Sequence, residues 1–267
     1  MGKLFGFIGT GNMGGALARA AAKKLPAEDI ILSDGYGEVA RKLAAELGCQ
    51  AASVAEVAEK AYFIWLGVKP QVIGSVLQGI APVLKARKDF VLVSMAAGVS
   101  IAQIQGYAGG AYPVIRIMPN IPVKAGGGVI LYDATENVTS EDLDCFCQSM
   151  ACAGLVDRLP EKLIDAGSAL SGCGPAFVSL FAEALADGAV ACGLSRSAAN
   201  TYAAQTLLGT AQYLLQTGQH PAALKDAVCS PGGSTIAGVK ALEDGGFRGT
   251  VMEAVCAAYE KTLDLGK

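Results

Sequence analysis

Short apolar runs alternate with helical segments over the first 160 residues. Six of these runs have the length and the β-branched or aromatic content of strands, and several are apolar at consecutive positions, as in strands covered by helices on both faces. The predicted strands are Leu4–Ile8, Ile30–Leu32, Tyr62–Leu66, Phe90–Val93, Tyr112–Met118 and Gly128–Tyr132. Their alternation with helices is typical of a mainly parallel sheet. The capping-box spacing of Thr139 and Asp142 predicts a last helix, from Asp142 to about Ala153.

The pattern changes after Pro160, where β-rich runs stop and alanine-rich segments with helical periodicity begin. We therefore predict two domains, residues 1–160 and an all-helical domain of residues 161–267. The predicted helix around Thr201–Gln216 has no formal charge. Because such a helix is too apolar to face water, we expect another subunit to cover it.

Composition raises and then weakens the possibility of a membrane protein. Of the 267 residues, 52% are hydrophobic and 17% charged, and the mean hydropathy is +0.41, which excludes a disordered chain. The stretches between Asp89 and Arg116 and between Arg196 and Lys225 are uncharged and long enough to span a bilayer. Glycines interrupt the first and side-chain amides the second, so we predict buried strands and a buried helix instead. The net charge of −3 offers no excess positive field for nucleic acid.

The eight cysteines form no CxxC pair, and His220 is the only histidine. This spacing excludes a zinc site, and we predict no metal. With no export signal apparent, we expect reduced thiols that act as small packing residues in a cytoplasmic protein.

A glycine-rich turn follows the first predicted strand directly and leads into an unbroken helix-forming run. In this strand–turn–helix context the GxGxxG pattern indicates a dinucleotide site and a Rossmann-like α/β domain. Gly9 would make the tight turn, Gly11 would allow close approach of a pyrophosphate, and Gly14 would allow the helix to pack on the strand. The free N–H groups of the helix start would hold the phosphates.

The choice between NADH and NADPH stays open. Asp34 lies twenty positions beyond Gly14, where a carboxylate would bind the adenine ribose and repel a 2′-phosphate. Ser33 could still donate to a phosphate, and Asp34 could point away. The nearest arginine, Arg41, lies one or two helical turns further on.

Two further turns follow predicted strands, and ligands of open parallel sheets bind outside the carboxyl ends of the strands. The turn at residues 67–70 opens a helix with proline in its first turn. Lys69 in this turn could equally be a solvated charge. The turn at residues 94–98 has small residues where a nicotinamide ribose would need room. Together with the first two turns, these give the predicted cofactor-binding residues: Ile8, Gly9, Thr10, Gly11, Asn12, Met13, Gly14, Ser33, Asp34, Gly67, Val68, Lys69, Pro70, Met95, Ala96 and Ala97.

A last glycine-rich turn, Ser230-Pro-Gly-Gly-Ser-Thr235, precedes a short amphipathic helix. Successive N–H groups at such a helix start form a nest for an anion. Because no arginine is nearby, a small carboxylate suits this turn better than a polyanion. A plain capped loop is the alternative that spacing alone leaves open.

These motifs together resemble one family, Δ1-pyrroline-5-carboxylate reductase. Residues 221–243 resemble its signature throughout, and residues 165–177 are similar to its "T-A-L-S-G-S-G-P-A-Y" segment. The resemblance extends to residues 67–70, 94–98 and 116–122. This chain has Ile121 where threonine is usual, Cys173 where serine is common, and Val54 in place of an asparagine that often contacts the adenosine.

The resemblance implies reduction of 1-pyrroline-5-carboxylate to L-proline, the last step of proline biosynthesis, by hydride transfer from NADPH, with NADH a further possible cofactor. It implies a helical domain that interlocks with its partner in a dimer, with dimers often forming a decamer. Thr235 would hydrogen-bond the ring nitrogen as the catalytic residue, and we expect the active site between the two domains. The residues implied to bind substrate are Ser230, Gly232, Gly233, Ser234 and Thr235.

Other functions need separate consideration. Related dehydrogenases of β-hydroxy acids use a lysine early in their second domain, and residues 168–194 contain none. A dinucleotide-binding regulator without turnover would leave the turn at residues 230–235 unexplained. His220 precedes a proline, and we interpret it as a helix-entry residue rather than a proton donor.

Overall fold

The computed structural model describes residues 3–265, so the outermost ends of the two predicted domains, residues 1–2 and 266–267, lie outside the described residues. The chain divides into two compact units. The sheet unit comprises residues 3–173 and 258–265, and the helical unit comprises residues 174–257.

The sheet unit is built on eight strands, and all six predicted strands are present with ends shifted by at most two residues. They are β1 (Phe5–Ile8), β2 (Ile30–Ser33), β3 (Gln50–Ala51), β4 (Phe63–Leu66), β5 (Val91–Ser94), β6 (Val114–Pro119), β7 (Gly128–Ala134) and β8 (Gly154–Arg158). The prediction missed β3 and β8. Both are edge strands with polar residues, so neither carries the apolar run that marks a strand buried on both faces.

The strand order is β3-β2-β1-β4-β5-β6-β7-β8. Every neighbouring pair is parallel except β6 and β7, which are antiparallel. The first six strands therefore have the 3-2-1-4-5-6 order of the doubly wound dinucleotide-binding fold. This confirms the predicted Rossmann-like domain with a mainly parallel sheet.

Seven helices belong to the sheet unit: α1 (Asn12–Ala21), α2 (Gly37–Leu47), α3 (Val54–Lys60), α4 (Pro70–Lys85), α5 (Ile101–Ala108), α6 (Ser140–Met150) and α7 (Glu161–Ser171). Short 3₁₀ turns occupy Ala27–Asp29 and Ile121–Ala125. The capping box of Thr139 and Asp142 is confirmed. The predicted range of α6 was wrong at both ends, because Thr139 is the cap and the chain turns at residues 151–153 to enter β8.

Side chains alternate between the two faces of the sheet and form two buried clusters. Phe7 and Trp65 stack at 5.1 Å on one face, where helices α1 and α6 pack. Ile8, Ile64 and Leu92 point to the other face, against α3, α4 and α5. Residues 90–115, one of the uncharged stretches, form β5, α5 and the start of β6, and both strands are fully buried, as predicted.

Helix α7 packs on the sheet, although it follows the pattern change at Pro160. Ile164 is buried against Met118 and Leu131. Arg116, only 3% exposed, donates from Nη1 to Glu161 Oε1 at 3.1 Å and from Nη2 to Asp165 Oδ1 at 2.8 Å. These bonds explain why the sheet unit extends to residue 173. That residues 161–267 form one functional domain stays a prediction.

The helical unit contains α8 (Gly174–Ala191), α9 (Arg196–Thr217), α10 (Pro221–Val228) and α11 (Ser234–Asp244), and α12 (Phe247–Leu265) begins in it. Its buried hydrophobic cluster consists of Ala186, Ala199 and Ala203. The predicted uncharged helix is present as α9, but it is not buried within the chain. Leu208 is 52% exposed and Leu215 is 84% exposed.

One stretch of the described chain, residues 161–191, is long and apolar enough to cross a membrane by length and composition. Only 11% of the 18-residue segment that meets this criterion is buried. One such stretch is weak evidence for a membrane span, because core helices of soluble proteins pass the same test.

Candidate dinucleotide and anion sites

The carboxyl ends of four parallel strands meet at one edge of the sheet. Ile8 pairs with Ser33 and with Leu66, and Leu66 pairs with Ser94. The turns that follow β1, β2, β4 and β5 therefore lie side by side. This is where the strand order reverses, between β1 and β4, and where open α/β sheets bind ligands. The structure thus brings together all the turns predicted to bind a dinucleotide.

Three glycines allow the turns after β1 and β4 to touch. Gly9 has φ +91°, a conformation that favours glycine. A Cβ at Gly14 would lie 2.0 Å from the Gly9 carbonyl oxygen, and one at Gly67 would lie 2.3 Å from it. Gly11 differs, because a Cβ there would meet no protein atom within 4 Å. The space beside Gly11 is therefore open, as a pyrophosphate cradle requires.

The start of α1 adds a positive electrostatic field to this cradle. Gly11 is the N-cap residue and no side chain caps the helix. The first helical bond runs from the Gly15 N–H to the Gly11 carbonyl at 2.9 Å, which leaves three earlier N–H groups without helical partners. The first turn has no acidic residue to offset the helix dipole. These residues fit a dinucleotide phosphate.

Asp34 links the turn after β1 to the loop after β2. Its Oδ2 accepts hydrogen bonds from the Thr10 N–H at 2.7 Å and the Thr10 hydroxyl at 3.3 Å. Its Oδ1 accepts from the Tyr36 N–H at 2.9 Å. The preceding Ser33 is buried. Asp34 therefore points toward the glycine-rich turn rather than away from it.

The turns after β4 and β5 have different degrees of exposure. Lys69 is the exposed N-cap of α4, Pro70 occupies the first turn, and the Lys69 side chain has no polar partner among residues 3–265. Ala96 is buried, whereas Ala97 is exposed. Because the side chains of Ala96 and Ile8 are both buried, each of these residues could contact a ligand only through its backbone.

Lys124 is a cation near this edge that the sequence analysis missed. It lies in the 3₁₀ turn after β6, and its Nζ donates to the side-chain oxygen of Asn12, the first residue of α1. The two residues are 112 positions apart. No local spacing links them, and only the position of β6 in the sheet brings them together.

The second predicted site lies in the helical unit, where Ser230 to Gly233 form a tight turn. The Gly233 N–H donates to the Ser230 carbonyl at 3.0 Å, and Gly232 has φ +68°. Proline at the second position and glycine with positive φ at the third are typical of a type II turn. A Cβ at Gly233 would lie 2.4 Å from Ser230 Oγ and 3.1 Å from the Ser230 carbonyl oxygen, so a side chain at residue 233 would displace the Ser230 hydroxyl.

Helix α11 begins at Ser234, and no side chain caps it. The first helical bond is the one from the Ala237 N–H to the Gly233 carbonyl. The hydroxyls of Ser230, Ser234 and Thr235 form no hydrogen bond with any described residue. N–H groups and hydroxyls without a partner among the described residues thus occur together in one short turn at a helix start, an arrangement that can bind a carboxylate.

His220 caps helix α10. Its Nδ1 accepts a hydrogen bond from the Ala222 N–H at 3.2 Å, and Pro221 is the first helical residue. This confirms the interpretation of His220 as a helix-entry residue.

The cysteines are free thiols, and burial raises the pKa of Cys49 and of Cys145. Both therefore stay protonated near neutral pH. Within residues 3–265, no group of three histidine, cysteine or acidic side chains could hold a metal ion.

The sheet order and the glycine-rich cradle define a dinucleotide-binding oxidoreductase fold, and comparisons with known families agree. Residues 4–98 match the family described as coenzyme F420-dependent NADP oxidoreductase. Residues 161–265 match the family described as pyrroline-5-carboxylate reductase dimerisation. The chain belongs to the pyrroline-5-carboxylate reductase family.

Individual relatives are similar over their whole length. The chain is 40% identical to pyrroline-5-carboxylate reductase of Escherichia coli over 271 residues, covering 100% of both chains. It resembles the crystal structure of Plasmodium falciparum pyrroline carboxylate reductase with NADP bound, with 33% identity, a TM-score of 0.87 and coverage of 99% and 98%. The Coxiella burnetii pyrroline-5-carboxylate reductase gives 30% identity, a TM-score of 0.92 and coverage of 99% of each chain.

Proposed function

We propose that this protein reduces 1-pyrroline-5-carboxylate to L-proline with NADPH, and accepts NADH as well, in the last step of proline biosynthesis. The observation that carries the proposal is the turn at residues 230–235, where the hydroxyls of Ser230, Ser234 and Thr235 and the N–H groups of the uncapped start of α11 have no partner among the described residues. Membership of the reductase family and the NADP bound to the Plasmodium falciparum relative support it.

The dinucleotide would be held by the turns of the sheet unit. The open cradle at Gly11 and the N–H groups of Asn12, Met13 and Gly14 would bind the pyrophosphate. Asp34 and Ser33 would border the adenine ribose, and the turn after β5 would border the nicotinamide. The remaining predicted residues border these positions: Ile8, Gly9, Thr10, Gly67, Val68, Lys69, Pro70, Met95, Ala96 and Ala97.

The substrate would be held by the turn before α11. The N–H groups of Gly232 and Ser234, with the Ser230 hydroxyl, would bind the carboxylate of the imine, and the helix dipole would favour its charge. The Gly233 N–H is already bonded to the Ser230 carbonyl, so Gly233 would shape this turn rather than donate to the substrate. The Thr235 hydroxyl would then reach the ring nitrogen. Reduced nicotinamide supplies a hydride when bound. As the C=N double bond becomes single, the nitrogen gains a proton, which the Thr235 hydroxyl can donate or relay.

The helical unit accounts for self-association, which its match to the dimerisation family indicates. Its exposed apolar side chains would be covered by a second copy, as in an interlocked dimer, and dimers would assemble into a decamer. We place the protein in the cytoplasm, bound to neither nucleic acid nor membrane.

The decisive experiment follows NADPH oxidation on addition of pyrroline-5-carboxylate, with product identified as proline. Thr235→Ala is expected to lower turnover by about a hundredfold or more while NADPH binding is unchanged. The matched control is Thr250→Ala, since Thr250 lies in α12 and its hydroxyl bonds only to the Gly246 carbonyl at 3.2 Å. Undiminished turnover in Thr235→Ala would remove this hydroxyl from the mechanism, and no proline from the unaltered protein would refute the function.

A further inference from the structure

The loop after β2 and the helix that follows it carry both groups that set cofactor preference in this fold, a carboxylate at Asp34 in the loop and a cation at Arg41 in α2. A carboxylate here favours the ribose hydroxyl of NADH, and an arginine accommodates the 2′-phosphate of NADPH. We propose that Arg41 binds the adenosine 2′-phosphate and makes NADPH the preferred cofactor. This inference rests on the dinucleotide site of the proposed function.

Asp34 is already engaged by the protein itself. Both of its oxygens accept hydrogen bonds, from the N–H and hydroxyl of Thr10 and from the N–H of Tyr36. Backbone donors stabilise the carboxylate charge and fix its orientation. Its main contribution here is to fasten the loop to the glycine-rich turn, and its repulsion of a phosphate is partly offset.

Arg41, in contrast, is unengaged. Within residues 3–265 its guanidinium forms no hydrogen bond or ion pair with a side chain. The nearest acid along the helix, Glu38, pairs instead with Lys42 at 2.8 Å. Of the two cations in this part of α2, one is therefore neutralised by an acid and the other is available to a ligand.

The guanidinium also lies where the loop has room for a ligand. It folds back along α2 toward the first residue of the helix, so that Arg41 Nη1 is 3.3 Å from the position of a Cβ at Gly37. A Cβ at Gly35 would meet no atom within 4 Å. Gly35 thus leaves the surface beside Asp34 open, and the Arg41 guanidinium lies over Gly37, two residues further along the chain.

The chemistry of the two cofactors then decides which of them Arg41 binds more tightly. A phosphate has two or more oxygens that match the planar donors of a guanidinium, whereas a ribose hydroxyl has no charge for it to neutralise. Arg41 should therefore contribute to binding of NADPH and contribute almost nothing to binding of NADH.

The test measures binding separately from turnover, in the full-length protein. Fluorescence titration gives the affinity for NADPH and NADH, and calorimetry gives that for 2′,5′-ADP and 5′-AMP, which differ only in the 2′-phosphate. Arg41→Gln is expected to weaken NADPH and 2′,5′-ADP at least tenfold and to change NADH and 5′-AMP less than twofold. Arg41→Lys should restore part of the loss, because it keeps the charge without the planar donors.

The matched control is Lys88→Gln, which removes one exposed positive charge just before β5, at the amino ends of the strands and away from the turns at their carboxyl ends. It should leave all four affinities unchanged. Unchanged NADPH binding in Arg41→Gln, or equal losses for NADPH and NADH, would overturn the assignment of Arg41. A protein that binds NADPH through Arg41 but makes no proline would refute the proposed reaction alone, so the two failures are distinguishable.

Discussion

The sheet unit and the helical unit are both rich in apolar residues, but they use them differently. In the sheet unit β1, β2, β4, β5 and β6 are buried along their whole length, and Trp65, Phe5, Phe7 and Phe63 are fully buried. In the helical unit the buried cluster consists of three alanines, while Leu180, Leu208 and Met252 are each more than half exposed.

The difference shows that high hydrophobicity has two separate origins in one chain. The sheet unit buries its apolar surface within the chain, since helices cover both faces of the sheet. The helical unit leaves apolar side chains at its surface, where they gain stabilisation only when another surface covers them. One unit has a core of its own, and the other carries an interface.

The strongest test of this comparison places a charge on the exposed face of α9. Leu208→Glu is expected to weaken self-association by about a hundredfold or more, because burying an unpaired carboxylate costs several kcal/mol. Sedimentation velocity over a concentration series measures this. Val39→Glu is the control, a partly exposed apolar residue of the sheet unit. If Leu208→Glu associates as tightly as the unaltered protein, α9 is not an interface helix.

A second test separates packing from ligand binding inside the sheet unit. Gly14→Ala would force a methyl group against the Gly9 carbonyl oxygen, and we expect it to lower the free energy of unfolding by about 3 kcal/mol. Gly11→Ala adds its methyl group to open space. It should leave stability within about 0.5 kcal/mol but weaken NADPH binding.

Urea unfolding and NADPH titration of both variants decide the outcome. Equal losses of stability in the two variants would show that the space beside Gly11 is part of the core and not a cradle.

A third test concerns an ion pair that joins α6 to the segment just before β1, within the sheet unit. Asp142 is 3% exposed, and Lys3 donates to its Oδ1 at 2.7 Å. Burial alone would raise the pKa of Asp142, but the bonds from Lys3 and Thr139 outweigh it and hold this pKa below its ordinary value. The ionised carboxylate therefore stabilises the fold above the pKa of the unfolded state, and this contribution is lost as the pH falls through the lowered pKa.

Asp142→Asn is accordingly expected to cost about 1–2 kcal/mol of stability at pH 7. Its difference from the unaltered protein should shrink as urea unfolding is repeated at decreasing pH below about 4. Asp144→Asn changes an exposed residue of the same helix and should not alter the stability at pH 7 or at any lower pH in the series. A pH-independent difference for Asp142→Asn would mean that shape and not charge is responsible.

The smallest expected effect concerns Lys124, beside the first turn of α1. Lys124→Gln should weaken binding of NADPH and NADH by the same factor, about three- to tenfold, because Lys124 bonds to Asn12 at the start of α1, where both cofactors would place their pyrophosphate. Fluorescence titration measures both affinities. A loss confined to NADPH would place Lys124 at the 2′-phosphate instead, contrary to the assignment of Arg41.

Local sequence patterns predicted the central strands because those strands are apolar on both faces and end in glycine or proline turns. They missed β3 and β8 because an edge strand is defined by its neighbour. They also located α6 from its capping box but gave it the wrong ends. The C-terminal end was wrong because the turn into β8 depends on Gly154, where an added Cβ would lie 2.1 Å from the carbonyl oxygen of the distant Gly128.

The candidate sites show the same limit. Gly9, Gly11, Gly14 and the turn at residues 230–235 were identifiable because the spacing of glycines reflects local backbone geometry. Lys124 was not, because 112 residues separate it from Asn12.

The sequence by itself determined the alternation of elements, the glycine-rich turns and the family, because each depends on residues that are close along the chain. Tertiary structure alone decided that Asp34 is engaged by Thr10 while Arg41 has no side-chain partner among residues 3–265, that α7 joins the sheet unit through Arg116, and that α9 is exposed within one chain. These features depend on which distant groups meet. The partner of a charge or of an apolar face is set by the fold, and no local pattern encodes it.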